Sequence, residues 1–161
     1  MLLQGFGIRE VIEAADGAEG FELFQSTAPD FVVVDWAMPV FNGVELTRMM
    51  RDTDSSHFPY VPIIMITGHS DKKRVIEARD AGVTEFVCKP ISATALYQRI
   101  VVSAVSPRAF IRTESFFGPD RRRIVGALAQ DAEERRGKGE SEHKVTQIDS
   151  LIEPRSEKSV A

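Results

Sequence analysis

Apolar and polar residues alternate in blocks along residues 10–104, in the order expected of alternating strands and helices. Four short segments rich in apolar residues predict strands, at residues 11–14, 31–34, 63–66 and 85–88. The two middle segments are apolar throughout, which is typical of parallel strands covered on both faces. The alternation therefore predicts an α/β fold with a parallel sheet.

The predicted helices follow from apolar residues that recur three or four positions apart. Three such stripes lie between or after the strand segments: Ala18, Phe21, Phe24 and Ala28; Leu46, Met49 and Met50; and Ala93, Leu96, Ile100 and Ala104. Because helices that cover a sheet turn one apolar face toward it, we interpret all three stripes as core.

The composition changes after Val105, where Ser106-Pro107 and later Gly118-Pro119 interrupt the pattern. We expect one domain over residues 1–105 and a charged tail over 106–161. A short helix is predicted at 120–136, and the rest of the tail is polar enough for us to expect disorder.

Bulk composition narrows the function classes. The net charge is −4 and the pI is about 5.4, so the chain lacks the overall positive field that favours nucleic-acid binding. The single cysteine, Cys88, excludes an internal disulfide and suits a reducing compartment. No segment has the roughly 18 apolar residues of a spanning helix, and no basic stretch starts a secretion signal. We expect a soluble cytoplasmic protein in which Cys88 is a small buried apolar residue.

Polar side chains stand at the ends of three predicted strands. Asp35 follows the apolar run 32–34, Thr67 follows Ile66, and Lys89 follows Cys88. Ligands of open parallel sheets bind at the carboxyl ends of the strands, so these side chains should converge on one crevice. A carboxylate can attack phosphorus, a hydroxyl can donate to a phosphoryl oxygen, and an ammonium can balance its charge. The set predicts acyl-phosphate chemistry on Asp35.

These residues, with Pro39 and Gly43 downstream of Asp35, resemble those of the response-regulator receiver family, of the single-domain chemotaxis type, over about residues 1–105. The resemblance implies a flavodoxin-like, doubly wound sheet of five strands in the order 2-1-3-4-5. It implies that Asp35 is the phosphoacceptor, that Thr67 and Phe86 form the switch, and that Lys89 precedes a cis-proline, Pro90.

The resemblance also implies partners and a cofactor. A histidine kinase or a histidine phosphotransfer protein would donate the phosphoryl group, and a downstream protein would receive the signal by contact. Mg²⁺ would bind the Asp35 carboxylate and the Ala37 carbonyl, together with a pair of acidic residues. Such a domain is a signalling module rather than an enzyme, and we expect neither nucleic acid nor membrane as a partner.

The start of the sequence departs from the family pattern. The family's first strand, its acidic pair and most of its first helix have no counterpart before residue 11, and residues 1–6 resemble the end of that helix. We therefore expect Mg²⁺ binding to be weak or lost in this chain, and we favour a start codon assigned too late.

Three other functions remain open. A pseudo-receiver would bind partners without phosphorylation, because the acidic pair is missing. A phosphatase of the haloacid-dehalogenase type also uses a strand-end Asp, but it needs a second Asp where this chain has Ala37. Nucleic-acid binding could use the arginines at 121–123 beside two phenylalanines, although acidic residues follow closely. His57 and His69 are expected near the proposed crevice, and we interpret them as solvated loop residues rather than as ligands or bases.

Overall fold

The computed structural model describes residues 2–68 and 72–120 and the backbone of residues 145 and 146. The elements, in chain order, are α1 (Leu2–Gly5), α2 (Gly17–Thr27), β1 (Val32–Asp35), α3 (Gly43–Arg51), β2 (Ile63–Thr67), α4 (Lys72–Ala81), β3 (Glu85–Cys88), α5 (Ala93–Val105), β4 (Phe110–Arg112), β5 (Phe117–Pro119) and β6 (Val145–Thr146).

The strands β1, β2 and β3 form a parallel sheet in that order. Asp35 at the end of β1 is paired with Ile66, and Thr67 at the end of β2 is paired with Cys88. Neighbouring strands therefore end almost level with one another. This register brings the residues that follow the strands to one edge of the sheet.

Two apolar cores lie on opposite faces of this sheet. On one face Ile63 and Met65 are fully buried and pack with residues of α2, α3 and α4. On the other face Ile64 packs with Leu96 of α5 and with Leu3 of α1. Burying an apolar side chain of this size stabilises the fold by about 1.5–3 kcal/mol. Helices on both faces of a parallel sheet confirm the predicted doubly wound, flavodoxin-like α/β fold.

Polar side chains fix where the helices begin. Asp16 accepts hydrogen bonds from the N–H groups of Ala18 and Glu19 in the first turn of α2, and Ser92 accepts one from the Ala95 N–H in the first turn of α5. Asn42 caps α3, and Glu45 returns a bond to the Asn42 backbone, which completes a capping box. Each cap satisfies N–H groups that the helix itself leaves unpaired. The Asn42 cap matters most here, because it starts α3 just beyond the end of β1.

Residues 11–14 do not form a strand, so this prediction was wrong, and they do not pair with residues 31–34. A cleft of about 560 Å³, lined by both segments and by apolar side chains of α2 and α3, lies in this region. A strand persists only where a neighbouring backbone satisfies its N–H and C=O groups, and none of the described strands pairs with residues 11–14. Within residues 2–68 and 72–120, β1 is consequently an edge strand, paired with β2 alone.

Residues 110–119 form an antiparallel hairpin of β4 and β5, although the sequence pattern assigned them to the tail. The backbone of β6 pairs with the other edge of β4. The rings of Phe110 and Phe117 lie 5.1 and 5.2 Å from the ring of Tyr60, so the hairpin is anchored on the domain by aromatic packing. The ordered unit therefore extends past residue 105. Residues 121–136, most of the predicted helix, lie outside the described residues.

In the part of the chain that the structure describes, no helix is long and apolar enough to cross a membrane. The longest of the described helices, α5, has 13 residues, whereas a spanning helix needs about 20.

Candidate functional site

The three residues singled out at strand ends lie at one edge of the parallel sheet. Asp35 ends β1, Thr67 ends the central strand β2, and Lys89 follows β3 directly. The backbone N–H of Trp36 donates to Ile66 O at 2.8 Å, and that of Lys89 donates to Thr67 O at 2.8 Å. Ladder-like bonds therefore continue past the strand ends and hold the backbone of the site in place.

The Asp35 carboxylate forms an ion pair with the Lys89 ammonium through Oδ2. Its other oxygen, Oδ1, accepts a hydrogen bond from the Ala37 N–H at 3.1 Å. The Asp35 and Lys89 side chains are 34% and 45% exposed, so a solvent-borne reactant can reach them. An ion pair this exposed contributes no more than about 1 kcal/mol, so Lys89 can exchange partners at low cost. The Lys89–Pro90 peptide bond is cis, the form that the resemblance implied.

Thr67 and Phe86 occupy the same face of the sheet. Thr67 is 2% exposed. It lies on the same face of β2 as Met65, two positions earlier, and Met65 is paired in register with Phe86. Phe86 is half-buried and packs against the core on the α3 and α4 side. The two residues that the resemblance assigned to the switch are thus on adjacent strands, with Phe86 only partly enclosed.

Gly43, the first residue of α3, allows this helix to approach the end of β1. A Cβ at Gly43 would lie 2.4 Å from the Asp35 carbonyl oxygen, closer than real Cβ contacts. The Gly43 N–H donates to Trp36 O at 3.0 Å. The loop before the helix contains Val40 at φ 64°, an unfavourable conformation for a β-branched residue. A tightly packed β1–α3 turn therefore holds Asp35 in place.

One feature beside the site was not predicted from the sequence. The Arg74 guanidinium carbon of α4 lies 5.7 Å from the centroid of the half-buried Trp36 ring, a cation–π contact. Trp36 follows Asp35 directly, so Arg74 brings positive charge next to the crevice. The available signal was an aromatic residue after Asp35 and three basic residues, 72–74, after the next strand, but nothing local in the sequence pairs them.

Two residues differ from their expected surroundings. His57 was expected near the crevice, but it lies in the connection that enters the amino end of β2, and its N–H donates to Gln25 Oε1 of α2 at 3.0 Å. Cys88 was expected to be buried, and it is exposed. Cys88 is the last residue of β3, an edge strand of the described sheet, and the helices that cover the strand do not enclose this residue. His69 lies outside the described residues.

The residues described around Asp35 do not by themselves make a magnesium site. Mg²⁺ takes about six oxygen ligands, commonly one or two carboxylates with phosphate and water. Residues 2–68 and 72–120 contain no group of three or more His, Cys, Asp or Glu side chains that could hold a metal ion. Both Asp35 oxygens already have partners, Lys89 and the Ala37 N–H. The ligand pair of Asp35 and the Ala37 carbonyl is therefore incomplete in this part of the chain.

Comparisons with known proteins agree with this geometry. The family model of the response regulator receiver domain matches residues 1–101. The chemotaxis protein CheY of Pseudomonas aeruginosa is 34% identical over 99 residues, which cover 62% of this chain and 78% of that protein. CheY1 of Helicobacter pylori is 37% identical over 101 residues, which cover 62% and 80%.

A solved structure is similar as well. It is the receiver domain of a sensor histidine kinase from Pseudomonas aeruginosa, with a magnesium ion coordinated in its active-site cleft. It is 28% identical, has a TM-score of 0.54, and is matched over 63% of this chain and 80% of that one. The sheet, the strand-end residues and these matches lead to one conclusion: the chain belongs to the response regulator receiver domain family.

Proposed function

We propose that this receiver accepts a phosphoryl group on Asp35 from a histidine kinase or a histidine phosphotransfer protein, and signals by contact with a downstream protein. The observation that carries the proposal is the solvent-accessible ion pair between Asp35 and Lys89, beside the buried Thr67 on the central strand. A carboxylate held next to an ammonium combines a nucleophile with a positive charge that can stay with the product.

The transfer can be written with the residues at hand. One Asp35 oxygen attacks the phosphorus of a phosphohistidine, an O–P bond forms, and the P–N bond breaks. The electron pair stays with the imidazole nitrogen of the donor, which is left neutral or takes a proton from water. Lys89 then neutralises part of the phosphoryl charge, since its ammonium already contacts Asp35.

Thr67 and Phe86 would convert this chemical change into a change of surface. A new phosphoryl oxygen offers an acceptor to the Thr67 hydroxyl. Phe86 is half-buried on the same face of the sheet, so its ring can respond when Thr67 moves. Because Phe86 has no phenolic hydroxyl, its position depends on packing rather than on a hydrogen bond.

Intact mass spectrometry tests the proposal. Incubation with acetyl phosphate and Mg²⁺ should increase the mass by about 80 Da, the mass of one phosphoryl group. The increase should disappear in Asp35→Asn and persist in Asp30→Asn, which removes an exposed carboxylate just before β1. If neither this chain nor any longer form encoded by its gene shows an increase that depends on Asp35, the proposal is wrong.

A pseudo-receiver is the second candidate, and one observation favours it. The described residues supply no group of carboxylates beside Asp35 that could hold Mg²⁺. Without the metal ion, little more than the Lys89 ammonium would offset the repulsion between the Asp35 carboxylate and an anionic phosphoryl donor. This candidate predicts that Asp35→Asn leaves the binding of partner proteins unchanged. Phosphoacceptor function predicts that the substitution removes the regulation of that binding.

A further inference from the structure

The C-terminal hairpin of β4 and β5 is tied to the amino end of β3 through a buried carboxylate. Glu85, the first residue of β3, is 3% exposed. It accepts hydrogen bonds from Arg108 at 2.8 Å and from Arg99 of α5 at 3.0 Å. Arg108 precedes β4, and its guanidinium also donates to the Asp120 carbonyl just after β5, at 3.4 Å. Arg108 thus links both ends of the hairpin to the sheet.

The opposite end of β3 carries the site residue Lys89. Only three residues, 86–88, separate Glu85 from Lys89, and the strand between them is held to β2 by a continuous parallel ladder. A hydrogen-bonded strand moves as a unit rather than residue by residue. In the described part of the sheet β3 is an edge strand, so it is paired on one side alone. A shift of Lys89 can therefore move Glu85 as well.

We propose that β3 couples the state of Asp35 to the docking of the C-terminal hairpin, so that the hairpin reports what happens at the site. The contacts form one chain, from Asp35 to Lys89, along β3 to Glu85, and on to Arg108. The idea that phosphorylation triggers the change rests on the proposed function, whereas the coupling itself does not. Loss or gain of charge at Asp35 changes the partner of Lys89, and the strand carries that change to the other end of the sheet.

The buried end of this chain of contacts makes the hairpin sensitive to small movements. Charge-assisted hydrogen bonds to an enclosed carboxylate weaken steeply when donor and acceptor separate. The sequence after Asp120 continues into the arginines at 121–123. Asp120 is held by Arg108 and by its own N–H bond to Ala109 O, at 2.7 Å, so the residue that precedes these arginines is fixed. Release of the hairpin would free Asp120.

Backbone hydrogen exchange in the full chain tests the coupling. The reporters are the amides of Thr113 and Asp120, which donate to the carbonyls of Phe116 and Ala109 inside the hairpin. The perturbation is Asp35→Asn, which removes the carboxylate charge that holds Lys89. We expect exchange at both reporters to change by about fivefold, the lower end of common coupling factors.

Two controls decide the outcome. Asp30→Asn removes the same charge at the other end of β1 and should leave the reporters unchanged. In an Arg108→Gln background the link to Glu85 is cut, so Asp35→Asn should have no further effect on them. The coupling is refuted if Asp35→Asn acts no differently from Asp30→Asn, if it acts equally in the Arg108→Gln background, or if the amides of α2 change by the same factor.

This experiment separates the coupling from the proposed function. Phosphorylation is read by intact mass on the wild-type chain, and the coupling is read from variants that need no phosphate. If neither this chain nor any longer form encoded by its gene gains phosphoryl mass, the proposed function is refuted, and the exchange comparison still tests the coupling. Reporters that do not respond to Asp35→Asn would refute the coupling even if the wild type is phosphorylated.

Discussion

Replacement of Arg51 by Met should lower the free energy of unfolding by about 3 kcal/mol. Arg51 is 4% exposed, and its guanidinium donates to Gly82 O at 3.0 Å and to Pro59 O at 2.8 Å. It also lies 5.1 Å from the ring centroid of Phe110, below the hairpin. Burial lowers the pKa of Arg51 to about 9, so the side chain remains charged at neutral pH and its hydrogen bonds are charge-assisted.

The expected magnitude follows from those contacts. Met keeps most of the aliphatic volume of Arg but donates nothing, so two carbonyls inside the protein lose a donor, at about 1–3 kcal/mol each. Loss of the cation–π contact with Phe110 adds about 1 kcal/mol. Removal of the desolvated charge offsets part of this loss, which brings the net effect to about 3 kcal/mol.

Urea unfolding followed by the fluorescence of Trp36, the only tryptophan, measures this change. Arg48→Met is the matched control on the same helix, because the Arg48 side chain is 57% exposed and its ion pair with Glu77 is long, at 3.9 Å. Its effect should stay within about 0.5 kcal/mol. A loss in Arg51→Met below about 1 kcal/mol, close to that of the control, would show that the guanidinium network does not support the fold as argued.

Two further predictions concern exposed positions near the site. Val40 has φ 64° and is 67% exposed. Asn adopts a positive φ more easily than Val, and an exposed Val40 loses little burial, so Val40→Asn should raise the free energy of unfolding, measured in urea, by about 1 kcal/mol. A less stable variant would contradict this. Cys88 is exposed, so its thiol should react with an aromatic disulfide reagent in the native protein, with Cys88→Ser as the unreactive control. Protection until urea unfolds the chain would show that the thiol is covered.

The sheet and the site were predictable because their signals are local. The apolar runs before Asp35 and Thr67 specify buried parallel strands, and parallel strands bring their carboxyl ends together whatever else the chain does. Residues 11–14 show the limit of this reasoning. Their apolar content suits a strand, but a strand also needs a partner, and no pattern inside the segment reveals whether one is present.

The hairpin was missed because the contacts that hold it connect distant parts of the sequence. Glycine and proline at 118–119 were interpreted as part of a charged tail, whereas Gly118 permits close packing on Gly82, whose Cα would lie 3.0 Å from an added Cβ. Phe110 and Phe117 pack against Tyr60, which lies more than 40 positions earlier in the sequence, and Arg108 forms an ion pair with Glu85. Three phenylalanines within eight residues of a polar tail were the signal that it packs on something.

Within residues 2–68 and 72–120, β1 pairs with β2 alone, so its other side is an edge to which a further strand can add. In the described chain, that edge borders the cleft beside residues 11–14, so backbone groups free for pairing lie next to apolar side chains. Folded proteins ordinarily shield such edges, because an unshielded one acts as a template for aggregation and strand exchange. Solubility of the protein at high concentration will therefore depend on what occupies this edge more than on the surface charge of its helices.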